Sequence, residues 1–366
     1  MKNLILTSIV VMLSICLTGC GTGLAGDSRK VDKEKISIDS ILEDFVLSHN
    51  GHKGYIIGLD TLTILNMRNY TTIGRLEVEL PEAVDLNKPD QIFQSIALSP
   101  DDKTVYITSH DPRHNGGPGS LFIVDVSNSR KPKLISETKL GLKFNFSIQI
   151  LPDGKHMLAT IKASTYGITH ADLVVLDIQN KKKPKIIGRL QDETYSFHGD
   201  ISISKNGKRA YLSRDVGIEI VNLEDLTLPR VISTIYIDQE IIGDTYSVIT
   251  KDKKWLYAIN NNNDLFLYNI EKEGNPRLVF TKTFPDVAGL EYLLLSPDEK
   301  KLYVTSMGNE EDSTLTIFDI SDRKKLTIIK TIHRDSYQFV RSAGAIVSPD
   351  GKKIYFARVW LYVIKL

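Results

Sequence analysis

Thiols are scarce in this sequence, because only two of its 366 residues are cysteine, Cys16 and Cys20. That number is too small for a disulfide framework or a multi-cysteine metal site. An excess of one charge is also absent, since 46 Lys and Arg face 45 Asp and Glu. A global field that would attract nucleic acid is therefore excluded. The 42% of hydrophobic residues suffices for a large core, so stability must come from packing.

Other familiar signals are missing as well. No stretch after the first twenty residues has convincing helical periodicity. The sequence contains no Gly-x-Ser-x-Gly elbow, no phosphate-binding glycine loop and no His-Glu-x-x-His motif. These absences favour an all-β chain and leave catalysis without a sequence motif.

Residues 1–19 are predicted to be a secretory signal peptide, because Lys2 precedes an apolar run from Leu4 to Leu17 that is too short to span a membrane. The segment ends in Leu17-Thr18-Gly19-Cys20, which resembles the bacterial lipobox. The resemblance implies that Cys20 becomes the first mature residue and is acylated. More than one acyl chain gives stable membrane attachment. Residues 20–34 are small and charged and predict a flexible tether.

One phrase recurs through the remaining chain. Leu121-Phe122-Ile123-Val124-Asp125, with Pro132 seven residues after the Asp, has close copies that begin at Leu173, Ile218 and Leu265. Leu315 begins a copy without the proline, and Leu62 and Leu361 begin weaker copies. Internal repeats of this kind indicate a repeat architecture.

A second unit precedes each copy: an apolar strand, a turn such as Ser348-Pro349-Asp350-Gly351-Lys352, and a strand that usually contains Tyr. Pro, Asp and Gly at these places are typical of tight hairpin turns. Four strands in each repeat of about 50 residues match a β-propeller blade. The prediction is an all-β, seven-bladed propeller of four-stranded antiparallel blades over residues 35–366. The chain stops before the outer strand of the last blade, so residues 35–40 are predicted to supply it.

These repeats resemble two related groups of bacterial propellers. Leu121 to Pro132 is similar to the LVIVD repeat of surface proteins, and the Ser-Pro-Asp-Gly-Lys turn is similar to YVTN-type propellers. The resemblance covers residues 45–366 and implies the fold together with surface binding. Because a fold does not carry a function, it leaves the activity open.

Candidate binding residues follow from the register of the repeats. In a propeller, positions just before the first strand and just after the second strand of each blade surround the channel mouth, and long loops on a rigid scaffold carry binding residues. A polar ligand, bearing a carboxylate or resembling a sugar, could be held there by arginine; the alternative is a solvated channel whose charges pair with each other. The candidate ligand-binding residues are His198, Arg214, Asp244, Glu291, Arg341 and Arg358.

His110-Asp111-Pro112-Arg113-His114 is the densest group of possible metal ligands. Zinc accepts such residues, but Pro112 prevents the helical turn that usually aligns two His, so His110 and His114 are weak candidates and no cofactor is predicted. His170 could converge on them, or the group could be an exposed polar loop.

The sequence therefore predicts a lipid-anchored, extracytoplasmic, monomeric propeller at the outer membrane or cell surface, with no nucleic-acid partner. It would bind an unknown protein, peptide or glycan through its loop face and channel mouth. The alternatives are a lactonase-like hydrolase that uses Glu291, His198 and Arg341, and a scaffold subunit of an envelope complex. The lactonase alternative rests on analogy of fold alone.

Overall fold

The computed structural model describes residues 34–36, 42–78, 92–110, 119–141, 144–165, 168–190, 201–214, 217–237, 245–260, 262–307, 312–334, 344–357 and 361–366. Every regular element in these ranges is a β-strand, and the 28 strands form seven antiparallel sheets of four. We call the sheets blades 1 to 7 and the strands of each blade A to D. The prediction of seven four-stranded blades is confirmed.

The first four blades follow one another along the chain. Blade 1 consists of β2 (Asp44–Leu47), β3 (Lys53–Ile57), β4 (Thr61–Asn66) and β5 (Thr71–Glu77). Blade 2 consists of β6 (Ile92–Leu98), β7 (Thr104–His110), β8 (Ser120–Asp125) and β9 (Lys133–Lys139). Blade 3 consists of β10 (Phe144–Ile150), β11 (His156–Thr165), β12 (Ile168–Asp177) and β13 (Lys185–Leu190). Blade 4 consists of β14 (Ile201–Ile203), β15 (Arg209–Arg214), β16 (Gly217–Asn222) and β17 (Arg230–Tyr236).

The last three blades include one strand from the start of the chain. Blade 5 consists of β18 (Tyr246–Ile249), β19 (Trp255–Ile259), β20 (Asp264–Asn269) and β21 (Arg277–Thr283). Blade 6 consists of β22 (Gly289–Leu295), β23 (Lys301–Met307), β24 (Ser313–Asp319) and β25 (Thr327–Arg334). Blade 7 consists of β26 (Gly344–Val347), β27 (Lys353–Ala357), β28 (Leu361–Lys365) and β1 (Glu34–Ile36).

The A strands form the inner ring, because each A strand contacts the A strand of the next blade and β26 of blade 7 contacts β2 of blade 1. The hydrophobic core lies between neighbouring blades. At the junction of blades 7 and 1, for example, Tyr355 and Leu361 pack in one cluster with Phe45 and Leu65. Successive side chains of the B and C strands point to opposite faces of a blade, so apolar residues on both faces pack against the two neighbouring blades.

The A–B turns share one hydrogen-bonding pattern. In blade 6, the Ser296 hydroxyl donates to Asp298 Oδ1 at 2.6 Å and accepts from the Lys301 amide at 2.9 Å. Five other blades carry the same pattern with Ser or Thr, and the acceptor is Asn in blades 1 and 4 and Asp in the others; blade 3 has Leu151 in place of the hydroxyl. One residue of each turn has a positive φ: Gly51, Asp102, Gly154, Gly207, Lys253, Glu299 and Gly351. This backbone requirement explains the frequent Gly at that position.

The C–D turns explain the terminal Asp or Asn of the repeated phrase. In blade 2, Asp125 Oδ1 accepts the Ser127 amide at 2.9 Å, which forms an Asx turn. The D strand then bulges at the same place in blades 1 to 6. Beside the bulge in blades 1 and 3 lie Gly74 and Gly188, where a Cβ would meet Ser129 O and Leu226 O of the next blade at 2.1 and 2.0 Å. Neighbouring blades therefore approach each other through backbone.

The outer strand of blade 7 comes from the beginning of the chain. β1 pairs antiparallel with β28, and Glu34 lies opposite Val363. The sequence analysis assigned residues 35–40 to this strand; the structure has it at Glu34–Ile36, and residues 37–41 lie outside the described ranges. Residues 1–33, including Cys20, also lie outside them. Within the described ranges, no helix is long and apolar enough to cross a membrane.

Candidate functional site

The two ends of the blades differ. We call the end with the A–B and C–D turns the turn face and the opposite end the loop face. All A–B and C–D turns lie within the described residues. The segments that join strands at the loop face and lie outside the description are 37–41, 79–91, 111–118, 142–143, 166–167, 191–200, 215–216, 238–244, 261, 308–311, 335–343 and 358–360.

Only part of the predicted mouth can therefore be placed. His114, His198, Asp244, Arg341 and Arg358 lie outside the described residues. His110 ends β7, opposite Ile92, and only its backbone is described. Arg214 and Glu291 are described in full. The ligand-binding roles of all these residues stay predictions.

Two adjacent carboxylates stand at the start of the inner strand of blade 1. The Glu43 amide donates to Ile57 O at 3.0 Å, and burial raises the pKa of its half-buried carboxyl. Asp44 Oδ2 accepts the Ile96 amide at 3.0 Å and the Ser95 hydroxyl at 3.2 Å, both from blade 2. Asp44 therefore links two inner strands, whereas Glu43 is a partly desolvated acid of the kind that is common in functional sites.

Glu291 lies at a β-bulge on the inner strand of blade 6. The register shifts between Leu290 and Tyr292, so Glu291 is the extra residue, and Gln94 holds the same place in blade 2. Both side chains are half-buried. Bulges are frequent next to active sites because they change the direction of a side chain. The two positions are thus structurally equivalent.

An aromatic pair adjoins Glu291. The rings of Tyr246 in blade 5 and Tyr292 in blade 6 have centroids 5.8 Å apart at an interplanar angle of 45°. Both residues are half-buried on inner strands. The half-buried rings and Glu291, which precedes Tyr292 in the chain, combine apolar surface with a hydrogen-bonding group, which suits a sugar or a peptide.

Arg214 lies in a buried ion pair. Its Nη2 atom is 2.6 Å from Glu219 Oε2, and the side chains are 1% and 5% exposed. Arg214 pairs with Gly217 across the B and C strands, and Glu219 pairs with Leu212. Leu212 packs in the core between blades 3 and 4, so the pair lies on that face of blade 4. Its guanidinium is therefore held by a carboxylate inside the propeller.

Residues at the start of blade 5 form hydrogen bonds with the part of blade 4 that contains Arg214. The Thr245 hydroxyl donates to Arg214 O at 2.5 Å and is 3.3 Å from Gly217 O. Ser213 Oγ and Ser247 Oγ, from blades 4 and 5, are 3.2 Å apart. These contacts link the ends of β15 and β16 to the next blade.

No group of three His, Cys, Asp or Glu that could hold a metal ion occurs within the ranges that the structure describes. Only the backbone of His170, opposite Ala163, is described, so its convergence with His110 and His114 stays a prediction. A cavity of about 270 Å³ lies on the turn face between blades 4 and 5, lined by Ser204, Thr250 and lysines, away from the mouth. It is open and shallow, so we do not regard it as the ligand site.

Residues 117–139 match the family described as the LVIVD repeat. This segment contains the repeat of blade 2 that resembles that family, and the suspected LVIVD-repeat propeller is confirmed. No curated protein matches the chain.

Several solved structures share the fold. Hydrazine synthase of Kuenenia stuttgartiensis is 16% identical, with a TM-score of 0.64 over 93% of this chain and 99% of that chain. The β-propeller domain of Cps50 (Swd1) from Myceliophteria thermophila is 10% identical, with a TM-score of 0.66 over 91% and 99%. The periplasmic gluconolactonase PpgL of Pseudomonas aeruginosa is 12% identical, with a TM-score of 0.63 over 87% and 88%. At these identities the likeness concerns the fold alone.

Four residues of this region were missed by the sequence analysis. Asp44, Tyr246 and Tyr292 lie within strands, where each looks like an ordinary repeat position. Glu219 carried a visible signal, because it interrupts the apolar phrase Ile218-Glu219-Ile220-Val221. A charge in the middle of a buried strand requires a partner, and Arg214 was five residues away.

Proposed function

We propose that this protein is a lipid-anchored, extracytoplasmic β-propeller that binds a ligand at its channel mouth and loop face. One observation carries the proposal: six of the seven A–B turns repeat a Ser or Thr hydroxyl bonded to an Asp or Asn side chain, whereas the inner-strand residues at the mouth differ between blades. A binding site for an asymmetric ligand requires such differences, and a purely structural end does not.

The described part of the mouth favours a ligand without net negative charge. Glu43, Asp44 and Glu291 contribute carboxylates, and the Arg214 guanidinium is already paired. Tyr246 and Tyr292 add aromatic surface. Neutral sugars and cationic peptides fit this combination, because acids accept hydrogen bonds from them and aromatic rings pack against their apolar faces.

Binding can be tested with the full chain on neutral oligosaccharides, basic peptides and acidic peptides. We expect a neutral or basic ligand to bind, and Tyr292→Ala to weaken its binding by about tenfold or more. Leu278→Ala is the matched control, because Leu278 is exposed near the start of the outer strand of blade 5, at the turn face. Preferential binding of acidic peptides, or equal loss with both variants, would contradict the proposal.

The lipid anchor is tested separately. Cells that express the full chain are fed a fatty acid with a bioorthogonal tag, and the protein is isolated from membranes. We expect a tagged protein, and loss of both the tag and membrane retention in Cys20→Ser. Tagging of the Cys20→Ser protein would contradict attachment at this residue.

A second candidate function is hydrolysis of a lactone. The fold likeness to a gluconolactonase and the raised pKa of Glu43 favour it, because a carboxyl whose pKa is raised by burial is a better general base than an ordinary carboxylate. Hydrolysis of glucono-δ-lactone should then fall about 100-fold in Glu43→Gln or Glu291→Gln and stay unchanged in Glu77→Gln. Absence of hydrolysis by the wild-type protein would favour binding alone. A scaffold role in an envelope complex predicts instead a stable partner that survives both mouth variants.

A further inference from the structure

The charges are distributed unequally between the two ends of the propeller. The A–B and C–D turns, with the strand residues that directly flank them, contain 27 Lys and Arg and 15 Asp and Glu. The rest of residues 34–366 contains 15 Lys and Arg and 28 Asp and Glu. A chain that is almost neutral overall is therefore strongly basic on its turn face and acidic elsewhere. Such a separation creates a field that orients the molecule at a charged surface.

Local ion pairs do not remove this excess. Lys254 is 3.0 Å from Glu271, and Lys208 is 3.6 Å from Glu224. The turn face has more Lys and Arg than Asp and Glu in total. An ion pair neutralises one cation and one acid of this face, so the surplus of cations stays the same. The cations at the tips of the C–D turns are exposed, and they include Lys131, Lys182, Lys183, Lys324 and Lys325.

A row of exposed aliphatic side chains borders the turn face. The second residue of the D strand is aliphatic and 38 to 56% exposed in five consecutive blades. These residues are Leu134, Ile186, Val231, Leu278 and Ile328. In four of the five blades a Lys or Arg immediately precedes it. Aliphatic groups beside cationic ones are typical of surfaces that lie in the headgroup region of a membrane.

The outer strand of blade 7, β1, begins at the same end of the propeller. A C strand ends at the turn face, and β1 runs antiparallel to β28, the C strand of blade 7. The chain therefore enters β1 from the turn face. A flexible segment of the length of residues 20–33 has an average span of roughly 20 Å. An anchor on Cys20 would accordingly hold the turn face, rather than the loop face, close to the bilayer.

We propose that the turn face docks on anionic phospholipid headgroups and that the loop face with the channel mouth points away from the membrane. The orientation rests in part on the proposed lipid anchor, whereas the affinity of the turn face for an anionic bilayer does not. Each Lys or Arg near such a surface adds attraction that salt weakens. Docking would leave the mouth open to ligands from the surrounding medium.

The test uses the full chain with Cys20→Ser, so that no acyl chain contributes. The protein is sedimented with vesicles of phosphatidylcholine alone and of phosphatidylcholine mixed with phosphatidylglycerol. We expect binding to the mixed vesicles only, and its loss at high salt. Lys182→Glu/Lys183→Glu should weaken this binding by about tenfold or more. Lys139→Glu/Lys330→Glu is the matched control, because it reverses two exposed charges outside the turn face.

Three results would overturn the proposal. They are no preference for the anionic vesicles, equal weakening by the two pairs of substitutions, and binding to soluble polyphosphate without binding to vesicles. The last result would identify an anionic polymer as the partner. Acyl tagging of Cys20 is measured independently, so a failed anchor and a failed docking surface are distinguishable. Thermal unfolding of each variant verifies that the blades remain folded.

Discussion

The contacts that stabilise the turn face differ from those that stabilise the loop face. At the turn face, a hydroxyl, a carboxylate and a left-handed residue recur with little change from blade to blade. At the loop face, single contacts such as the Arg214–Glu219 pair occur in one blade only among the described residues. The difference indicates that many small, equivalent contacts stabilise one end, whereas few, individually large contacts stabilise the other.

The largest effect is expected at the loop face. Arg214→Ala leaves the Glu219 carboxylate buried without its partner, so the free energy of unfolding should fall by about 3–5 kcal/mol. The double variant Arg214→Met/Glu219→Leu should recover most of this loss, because apolar side chains of similar volume replace the pair. Urea unfolding of the three proteins measures both values. A small effect of Arg214→Ala would show that the two ends are stabilised alike.

Contact between blades provides the next effect. Gly188→Ala places a Cβ 2.0 Å from Leu226 O of the next blade, so the backbones must separate. We expect a loss of about 1–3 kcal/mol in the free energy of unfolding. Gly274→Ala is the control, since no atom lies within 4 Å of the added Cβ. Equal stability of the two variants would contradict a close approach of blades 3 and 4.

A smaller and repeated effect is expected from the turn hydroxyls. Ser296→Ala and Ser348→Ala each remove a hydroxyl that donates to an Asp and accepts a backbone amide. Each should reduce the free energy of unfolding by about 1 kcal/mol, with similar values in both blades. Clearly unequal losses of stability in the two variants would show that the A–B turns of blades 6 and 7 are not equivalent.

These hydroxyls also predict a pH dependence. The Ser296 hydroxyl, followed by the Lys300 amide, lowers the pKa of Asp298 from its ordinary value of 3.8. A lowered pKa in the folded state stabilises the protein above the unfolded value, and this contribution is lost as the pH falls through the folded value. The difference between wild type and Ser296→Ala should therefore shrink between about pH 5 and pH 2. A constant difference would argue against a charged acceptor.

The smallest effect is a gain of stability. Lys253 has a φ of 58°, in the left-handed region, at the turn position where four blades have Gly. Lys253→Gly should raise the free energy of unfolding by up to about 1 kcal/mol, because Gly adopts this conformation without strain. Lys205→Gly, at a turn residue without positive φ, should lower it instead. The same urea experiment measures both changes.

The two ends also differ in how far the sequence could predict them. Local sequence is enough to predict the tight turns, as at Ser348-Pro349-Asp350-Gly351, so the hairpins could be placed. The number of blades and the fold class followed from the repeats. The D-strand bulges could not be predicted, because the residues beside them meet the next blade, as Gly188 meets Leu226, and contacts between blades are not visible in the local sequence. The mouth was predicted only as a set of equivalent positions. Register placed Glu291 and Arg214 at the mouth, but it could not show that the Arg214 side chain is buried against Glu219.

The contact between blades 7 and 1 has a consequence for the assembly of the molecule. Lys353 Nζ donates to the Tyr70 hydroxyl at 2.8 Å, and the cluster that contains Phe45 also contains Val363. One apolar face of the first blade thus stays uncovered until the strands of blade 7 have been synthesised. Long-range closure of this kind slows folding and exposes intermediates to aggregation. The nascent chain is expected to depend on chaperones until blades 1 and 7 meet.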